Sequence, residues 1–265
     1  MVVSIITVVF NNVSTIENAI LSVLSQDYPE IEYIIIDGGS DDGTQQVVNK
    51  YLDNIDLFCS ESDCGIYDAI NKGIKQSKGD VIGLMHSDDI FFDSHVVSDS
   101  VSRMQATNSE FCFSDMIIVN KGKVMRYYRS SYFHPWLFRI GWMPAHPTSF
   151  IKRKVLSEFD YYSLDYKIAG DFDFFVKIFS SRKISWCYLN RITVIMNHGG
   201  ASNSGLESKR LIASEISQSL RGNQVFSLKV FQLFRYFIRF TEFILKPKKD
   251  IKKKILDNWK HEKDI

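Results

Sequence analysis

The first third of the chain alternates two patterns of apolar positions. Apolar runs predict four strands: Val2–Phe10, Tyr33–Ile36, Ile55–Cys59 and Val81–Met85. The first run is rich in β-branched residues and is typical of a strand that is covered on both faces. Apolar positions at helical spacing predict three helices between these strands, which begin near Ser14 or Thr15, near Asp41 or Asp42, and at Tyr67. The alternation predicts an α/β fold with a doubly wound, mostly parallel sheet.

The second half is less regular, and its patterns predict fewer elements. In chain order these are a hairpin, a helix and two short strands: Phe111–Val119 with Lys123–Tyr128 around Lys121-Gly122, Asp171–Phe179, Ile184–Tyr188 and Ile192–Met196. Residues 198–202, His-Gly-Gly-Ala-Ser, predict a flexible loop. We therefore expect one domain over residues 1–222, with halves at 1–105 and 106–222, followed by an amphipathic helical tail at 223–265.

Composition and charge narrow the class of protein. With 45% apolar residues in 265, the chain can bury a sizeable core, which excludes a wholly disordered chain. The formal charge of +1 gives no sign of the basic surface that nucleic-acid-binding domains carry, so we expect no nucleic-acid partner. The four cysteines show no C-x-x-C spacing and are expected as free thiols. No uncharged stretch approaches the roughly 20 residues that span a bilayer.

Polar side chains cluster where each predicted strand ends. Asn11-Asn12 follows the first strand, Asp37–Thr44 the second, Glu61–Asp63 the third and Asp88-Asp89 the fourth. Doubly wound sheets bind their ligands at the carboxyl ends of the strands, so these groups are expected to meet at one binding site. Taken singly, Asp37–Thr44 also fits an ordinary turn, and Asp88-Asp89 also fits a helix cap.

The segment His86-Ser87-Asp88-Asp89 has the chemistry to hold a divalent cation. Carboxylate oxygens are hard ligands, and Mg²⁺ and Mn²⁺ prefer them. A cation held here would bridge the oxygens of a diphosphate and neutralise its charge. The same residues would otherwise cap a helix that follows the fourth strand.

The sequence lacks the motifs that are typical of three other classes of nucleotide-binding protein. A dinucleotide-dependent oxidoreductase would have G-x-G-x-x-G after its first strand, where this chain has Asn11-Asn12. A P-loop NTPase would have G-x-x-x-x-G-K-[ST], which the sequence does not contain. A sugar nucleotidyltransferase would have a glycine-rich, basic phosphate loop after its first strand, and the sequence shows none there.

Five runs of residues, in order, resemble glycosyltransferase family 2, whose members have the GT-A fold. They are Ser4–Asn12, Ile36–Thr44, Ser60–Asp63, Gly65–Gly73 and Gly79–Asp89. The resemblance covers roughly residues 1–200 and is nearest to the bacterial branch that builds O-antigen, capsule and exopolysaccharide repeat units. It implies a hexosyltransferase with a Rossmann-like nucleotide-sugar-binding half at 1–105 and an acceptor half at 106–222.

The family's pattern implies roles for the matching residues of the first half. The uridine pocket would be lined by Thr7, Asn11, Asp37 and Ser40. Asp63 would face the uracil or ribose, and Lys72 would contact the phosphates. Asp88 would bind Mn²⁺ or Mg²⁺, with Asp89 beside it. His86 replaces the first aspartate of the family's D-x-D motif. It would therefore be either an adjustable metal ligand or a contact to the ribose or diphosphate.

The run Ala169–Asp173 resembles the family segment that carries the general base. The resemblance implies that Asp171 takes the proton of the acceptor hydroxyl as that oxygen attacks the anomeric carbon, with inversion. The family often has an acidic pair here, whereas this chain has Gly170 before Asp171; Asp171 also fits a helix cap. His146 would contact donor phosphate or acceptor, or be structural. Gly199–Ser202 would be either a mobile loop over the diphosphate or a surface turn.

The resemblance implies metal-dependent transfer of a hexose or N-acetylhexosamine from a UDP-sugar to a polyprenyl-diphosphate-linked glycan in lipopolysaccharide O-antigen biosynthesis. The alternative is a catalytically weak nucleotide-sugar-binding, membrane-peripheral assembly protein, which His86 and Gly170 favour. From Phe226 onward, aromatic and basic residues at helical spacing predict an interfacial helix on an anionic leaflet. We therefore expect a cytoplasmic protein peripheral to the inner membrane, unless the tail packs on its own domain.

Overall fold

The computed structural model describes residues 1–121, 123–197, 206–228, 231 and 234–244. The strands are β1 (Val3–Val9), β2 (Ile31–Asp37), β3 (Leu57–Ser60), β4 (Val81–His86), β5 (Asp89–Phe91), β6 (Phe111–Asn120), β7 (Lys123–Tyr128), β8 (Phe150–Lys152) and β9 (Trp186–Asn197). The α-helices are α1 (Ile16–Leu24), α2 (Thr44–Asn49), α3 (Ile66–Gln76), α4 (Val96–Thr107), α5 (Arg153–Glu158), α6 (Gly170–Ser181), α7 (Leu206–Gly222) and α8 (Phe234–Ile244). Short 3₁₀ turns lie at Leu52–Asn54, Pro135–Ile140 and His146–Thr148.

The described strands form one mixed sheet in the order β3-β2-β1-β4-β8-β6-β9-β5, with β7 paired to β6. The parallel ladders, β2–β3, β1–β2, β1–β4 and β6–β9, hold most of the paired residues. The predicted α/β fold with a mostly parallel sheet is thus confirmed. From β1 the chain winds out to β2 and β3, then returns to β4 on the other side of β1. This reversal creates a topological switch point between β1 and β4, where such sheets bind ligands.

Helices cover both faces of the sheet, which explains why its first strands are apolar throughout. Side chains alternate along β1: Ile5 and Val9 pack with α1 and α4, whereas Ile6 and Val8 pack with α3 and α6. The approach of α3 to the sheet is close, because a Cβ added at Gly73 would lie 2.4 Å from Ile6 Cγ2. A glycine is therefore required on this face of α3.

Several element predictions differ from the structure. The strands expected at Ile184–Tyr188 and Ile192–Met196 form one strand, β9. Its ladder with β6 shifts register on both sides of Asp115, so the polar pair Asn190-Arg191 remains in the strand without register partners on β6. The short strands β5 and β8 and the helices α4, α5 and α7 were not predicted, because their apolar runs are short or their helical pattern is weak. The predicted turn at Gly122 and the loop at 198–202 lie outside the described residues.

The C-terminal helices pack on elements of the second half of the chain. Helix α7 lies against α6, and α8 lies against β7, where Arg126 forms an ion pair with the fully buried Glu242. The opposite side of α8 exposes three phenylalanines, Phe234, Phe237 and Phe240. In the part of the chain that the structure describes, no helix combines the length and apolar character needed to cross a membrane. The lysine-rich end of the predicted tail, 245–265, lies outside the described residues.

Candidate active site

A hydrogen-bonded network joins three of the predicted nucleoside contacts at the carboxyl ends of β1 and β2. The buried Asp37 accepts from the backbone N–H of Ser40 at 3.0 Å and from the Ser40 hydroxyl at 2.5 Å. Ser40 Oγ in turn accepts from the backbone N–H of Asn11 at 2.7 Å, and Asn11 Oδ1 accepts from Asp41 N–H at 3.0 Å. The network leaves the Asn11 side chain exposed above the buried Asp37 and Ser40.

Asp63 lies against the same edge, beside Gly38. Asp63 is half-buried, and its carboxylate accepts from Gly65 N–H at 2.8 Å. A Cβ added at Gly38 would lie 2.6 Å from Asp63 Oδ2, so the bare glycine backbone is what lets the two loops approach. Asn11 and Asp63 thus present an amide and a carboxylate at one edge, groups that suit a base and a ribose.

Two other predicted contacts have partners within the protein. Thr7 is fully buried inside the sheet, where its hydroxyl lies 3.1 Å from the Tyr33 hydroxyl. Lys72 Nζ lies 2.9 Å from Glu61 Oε1 and 3.5 Å from Asp68 Oδ2, and it donates to the Ser62 carbonyl at 3.1 Å. The hydrogen bond to Glu61 raises the pKa of Lys72. A phosphate that bound this lysine would replace at least one of the carboxylates.

The segment from His86 to Asp89 joins β4 to β5 at the switch point. The loop that follows β1 is hydrogen-bonded to this segment: Asn12 Nδ2 donates to Ser87 Oγ at 2.8 Å, and Thr15 Oγ1 donates to the Ser87 carbonyl at 2.7 Å. Asp88 is half-buried, whereas Asp89 is fully buried and neither of its carboxylate oxygens has a hydrogen-bond partner among the described residues. Burial raises the pKa of Asp89 well above its ordinary value, and the Asp88 charge adds to this.

His86 and Asp88 have a donor set that fits a divalent cation shared with a diphosphate. Among the described residues, no group of three or more His, Cys, Asp and Glu side chains could hold a metal ion alone. Nucleotide-bound Mg²⁺ needs only one or two carboxylates, because phosphate oxygens and water complete its coordination. Burial lowers the pKa of His86, against the charge of Asp88. A neutral imidazole results, which is the form that can ligate Mn²⁺.

His146 lies behind His86, inside the protein. The two rings are 6.2 Å apart between centroids, and His146 Nε2 is 2.9 Å from the Tyr162 hydroxyl. Burial lowers the pKa of His146 to about 3, with a contribution from His86, so the imidazole is neutral at physiological pH. Tyr162 then stacks on Tyr67, with ring centroids 6.0 Å apart, which connects the His86 side of the site to α3.

Asp171 lies in the first turn of α6, close to these tyrosines. Its side chain is half-buried, and its Oδ1 accepts from Phe172 N–H at 2.7 Å. Burial raises the pKa of Asp171 to about 6, against the stabilising effect of the Phe172 N–H. A carboxylate with this pKa is a competent general base near neutral pH. The same position, at the positive end of the helix dipole, also favours a helix-stabilising carboxylate.

Two residues that the sequence reasoning missed hold the segment before α6. The Tyr67 hydroxyl donates to the Ile168 carbonyl at 2.6 Å and accepts from Gly170 N–H at 2.9 Å. Glu215 of α7 accepts from consecutive backbone N–H groups of residues 167–169. Tyr67 lies inside the run Gly65–Gly73, which resembles the family's motif, so a signal for this residue is present in the sequence. Glu215 is a single glutamate in a polar helix, and nothing in the sequence distinguishes it.

The sequence of the chain is similar to sequences of known proteins. The model of the family described as Glycosyl transferase family 2 matches residues 4–168. A PGL/p-HBAD biosynthesis glycosyltransferase of Mycobacterium bovis is 24% identical over 215 residues, which cover 78% of this chain and 82% of that protein.

Two solved structures are similar to the chain in fold. Residues 1–349 of S. aureus TarS, in complex with UDP-GlcNAc, match with a TM-score of 0.68 and 21% identity, covering 99% of this chain and 80% of that one. Glucosyl-3-phosphoglycerate synthase from Mycobacterium tuberculosis, in complex with Mn²⁺, UDP and phosphoglyceric acid, matches with a TM-score of 0.59 and 17% identity, covering 82% and 78%.

Proposed function

The chain belongs to glycosyl transferase family 2 and has the GT-A fold, and we propose that it transfers a hexose or N-acetylhexosamine from a UDP-sugar to an acceptor hydroxyl, with inversion. The main support for this proposal is the environment of Asp171. Its half-buried carboxylate, whose pKa burial raises to about 6, interacts with Tyr67 and Tyr162. Tyr162 in turn lies 2.9 Å from His146 Nε2, and the His146 ring centroid is 6.2 Å from that of His86. A base and a diphosphate-binding segment on two sides of one site are what displacement at an anomeric carbon requires.

The nucleoside would bind at the edge formed by β1, β2 and the loop after β3. Asn11 and Asp63 are accessible there, while Asp37 and Ser40 hold the loop shape from beneath. Uridine is the nucleoside we propose, because the structures of TarS and of glucosyl-3-phosphoglycerate synthase contain UDP-GlcNAc and UDP. Thr7 is buried under this edge, and its direct contact with uridine stays a prediction.

The diphosphate would lie between Lys72 and the segment His86–Asp89. Lys72 would exchange Glu61 or Asp68 for phosphate oxygens. Asp88 and His86 would hold Mn²⁺ or Mg²⁺, with the buried Asp89 behind them. When bound, the cation supplies charge neutralisation for the departing nucleoside diphosphate. His146, neutral and buried, would hold the position of His86 rather than contact phosphate as a cation.

Asp171 would act on the acceptor. Its carboxylate accepts the proton of the acceptor hydroxyl, and that oxygen forms a bond to the anomeric carbon as the bond to the diphosphate oxygen breaks. One displacement of this kind inverts the anomeric configuration. Because residue 170 is glycine, no second carboxylate at that position shares the role.

We propose a polyprenyl-diphosphate-linked glycan as acceptor, in the O-antigen type of surface polysaccharide biosynthesis. An acceptor of this kind lies at the cytoplasmic face of the inner membrane, so the enzyme would bind there peripherally. The exposed phenylalanines of α8 support this contact, as do the lysines that follow in the sequence.

The second candidate is a nucleotide-sugar-binding assembly protein with weak catalysis, which His86 favours because it replaces a metal-binding aspartate. A screen of nucleotide sugars for release of nucleoside diphosphate, with Mn²⁺ or Mg²⁺ and with EDTA, separates the two. We expect release from a UDP-sugar that EDTA abolishes, and loss of release in Asp88→Ala. Binding of a UDP-sugar without release in the presence of lipid-linked acceptors would support the assembly protein. An Asp88→Ala variant that keeps full metal-dependent release would contradict the assignment of Asp88 as a cation ligand.

A further inference from the structure

The segment just before α6 has no secondary structure to fix it. Residues 166–169 belong to neither a helix nor a strand, yet they lead directly into the turn that carries Asp171. An irregular segment takes its position from whatever satisfies its backbone polar groups. The hydrogen bonds of this segment therefore decide where the Asp171 carboxylate lies.

Glu215 satisfies three of those groups. Glu215 Oε1 accepts from Lys167 N–H at 2.8 Å, and Oε2 accepts from Ile168 N–H at 3.0 Å and from Ala169 N–H at 2.7 Å. The glutamate is 5% exposed. A carboxylate this buried needs such donors, because burial without them costs several kcal/mol. Three successive N–H groups on one carboxylate form a rigid anchor between α7 and the segment.

Tyr67 of α3 satisfies two further backbone groups, at residues 168 and 170. Its hydroxyl accepts from Gly170 N–H and donates to the Ile168 carbonyl, at 2.9 and 2.6 Å. A Cβ added at Gly170 would lie 2.7 Å from Tyr67 Cε2, so the tyrosine ring occupies the space that a larger residue at 170 would need. The segment is thus held between α3, which belongs to the nucleotide half, and α7.

We propose that Glu215 and Tyr67 are positioning residues that clamp residues 167–170 and so place the Asp171 carboxylate for reaction with the acceptor. The proposal rests on the proposed function, in which Asp171 is the base. Glu215 also acts on Asp171 through its charge: burial is the main cause of the raised pKa of Asp171, and the negative charge of Glu215 adds to it. Among the described residues, Tyr67 and Tyr162 also interact with Asp171, and burial raises the pKa of both tyrosines, so that both stay neutral.

Substitution of Glu215 tests the clamp. Glu215→Gln keeps the side-chain size but removes the charge and one acceptor oxygen, so we expect kcat to fall on the order of 10-fold at unchanged donor KM. Glu215→Ala and Tyr67→Phe should also lower kcat more than they raise KM, with Glu215→Ala reaching on the order of 100-fold. Removal of the Glu215 charge lowers the pKa of Asp171. The acid limb of the pH–rate profile of Glu215→Gln should therefore move to lower pH.

Asp173→Asn is the matched control. Asp173 is buried on the same helix and accepts from Asn223 Nδ2 at 3.0 Å, so its loss also loosens the contact of α6 with the end of α7. We expect Asp173→Asn to keep kcat and the acid limb. If Glu215→Gln matches Asp173→Asn in kcat and in pH profile, Glu215 is merely structural and the clamp is refuted. Turnover by Asp171→Asn would instead refute the base, and with it the proposed function, independently of Glu215.

Discussion

At the scale of single residues, Asp171 is a carboxylate whose ionisation is opposed by burial. Its pKa of about 6 means that the basic form dominates at neutral pH and is lost as the pH falls. We expect kcat/KM for the acceptor to fall by about tenfold per pH unit below that value. The pH–rate profile measures this directly. Activity that stayed constant down to pH 4.5 would show that another group accepts the proton.

Gly170 is a second residue whose identity the structure explains. An alanine at this position would press its Cβ into the Tyr67 ring, so Gly170→Ala should cost about 1–3 kcal/mol of stability through overpacking and should lower kcat. Gly222→Ala is the control, since a Cβ there meets nothing within 4 Å. Thermal unfolding and steady-state kinetics of both variants measure the effects. Equal behaviour of the two variants would contradict the contact with Tyr67.

Single site residues could be predicted from the sequence where they and their partners lie in the runs that resemble the family. Asn11, Asp37 and Ser40 belong to strand ends that it could align, and the structure brings them into one network. Glu215 could not be predicted, because its partners are backbone N–H groups more than 40 positions away. The Tyr67 contact with Gly170 spans 103 positions and depends on how α3 meets α6. Such contacts exist only after the chain has folded.

At the scale of elements, apolar runs predicted the parallel strands β1, β2 and β4 within one residue at each end, apart from β2, which begins two residues earlier than predicted. The sequence pattern failed where an element is polar in its middle. The prediction divided β9 at Asn190-Arg191 because this pair is polar. In the structure the strand continues through the pair, which has no register partner on β6, and the Arg191 side chain forms ion pairs with Asp93 and Asp99. Strand β8 was missed, since three residues carry too little pattern, and its place between β4 and β6 is fixed by long-range pairing.

Glu110 connects three elements near the start of β6. It bonds to Arg182 at the end of α6 and to Lys154 of α5, and Arg182 also bonds to Glu158. The hydrogen bond to Arg182 lowers the pKa of Glu110 to about 2. A carboxylate whose pKa is lower in the folded than in the unfolded protein stabilises the fold at pH values above its pKa in the unfolded chain. This stabilisation is lost as the pH falls towards about 2.

Glu110→Gln should therefore destabilise the protein by about 1–2 kcal/mol at pH 7 and by less at pH 3. Urea unfolding of both proteins at the two pH values measures the difference. Glu17→Gln, which removes an exposed pair with Lys50, serves as the control and should change stability by less than about 0.5 kcal/mol. A Glu110→Gln effect that is equal at pH 7 and pH 3 would contradict the charge-based account.

At the scale of the whole molecule, α8 joins a buried face to an exposed aromatic face. Deleting the tail from residue 225 would remove the proposed membrane contact, but it would also remove Glu242 from its buried pair with Arg126. Substitution of the exposed phenylalanines is cleaner, since Phe234, Phe237 and Phe240 are 57%, 68% and 62% exposed. Their replacement leaves the packed face of α8 intact.

The triple variant Phe234→Ser, Phe237→Ser, Phe240→Ser should lose most of its binding to vesicles that contain anionic lipid, while it keeps the thermal stability of the parent. Apolar insertion and charge attraction both contribute to such binding, so neutral vesicles should bind the parent protein less. Co-sedimentation with the two kinds of vesicle measures this. Parent protein that never sediments with anionic vesicles would contradict the proposed membrane contact.

The proposed mechanism depends on Asp171 as the base, and turnover of Asp171→Asn tests this most directly, with Asp173→Asn as the control. For the UDP-sugar that the donor screen identifies, Asp171→Asn should bind with the affinity of the parent but transfer sugar on the order of 10²–10⁴-fold more slowly, because binding needs no base and proton removal does. Asp173→Asn should do both normally. Undiminished transfer by Asp171→Asn, or an equal loss in both variants, would contradict the mechanism.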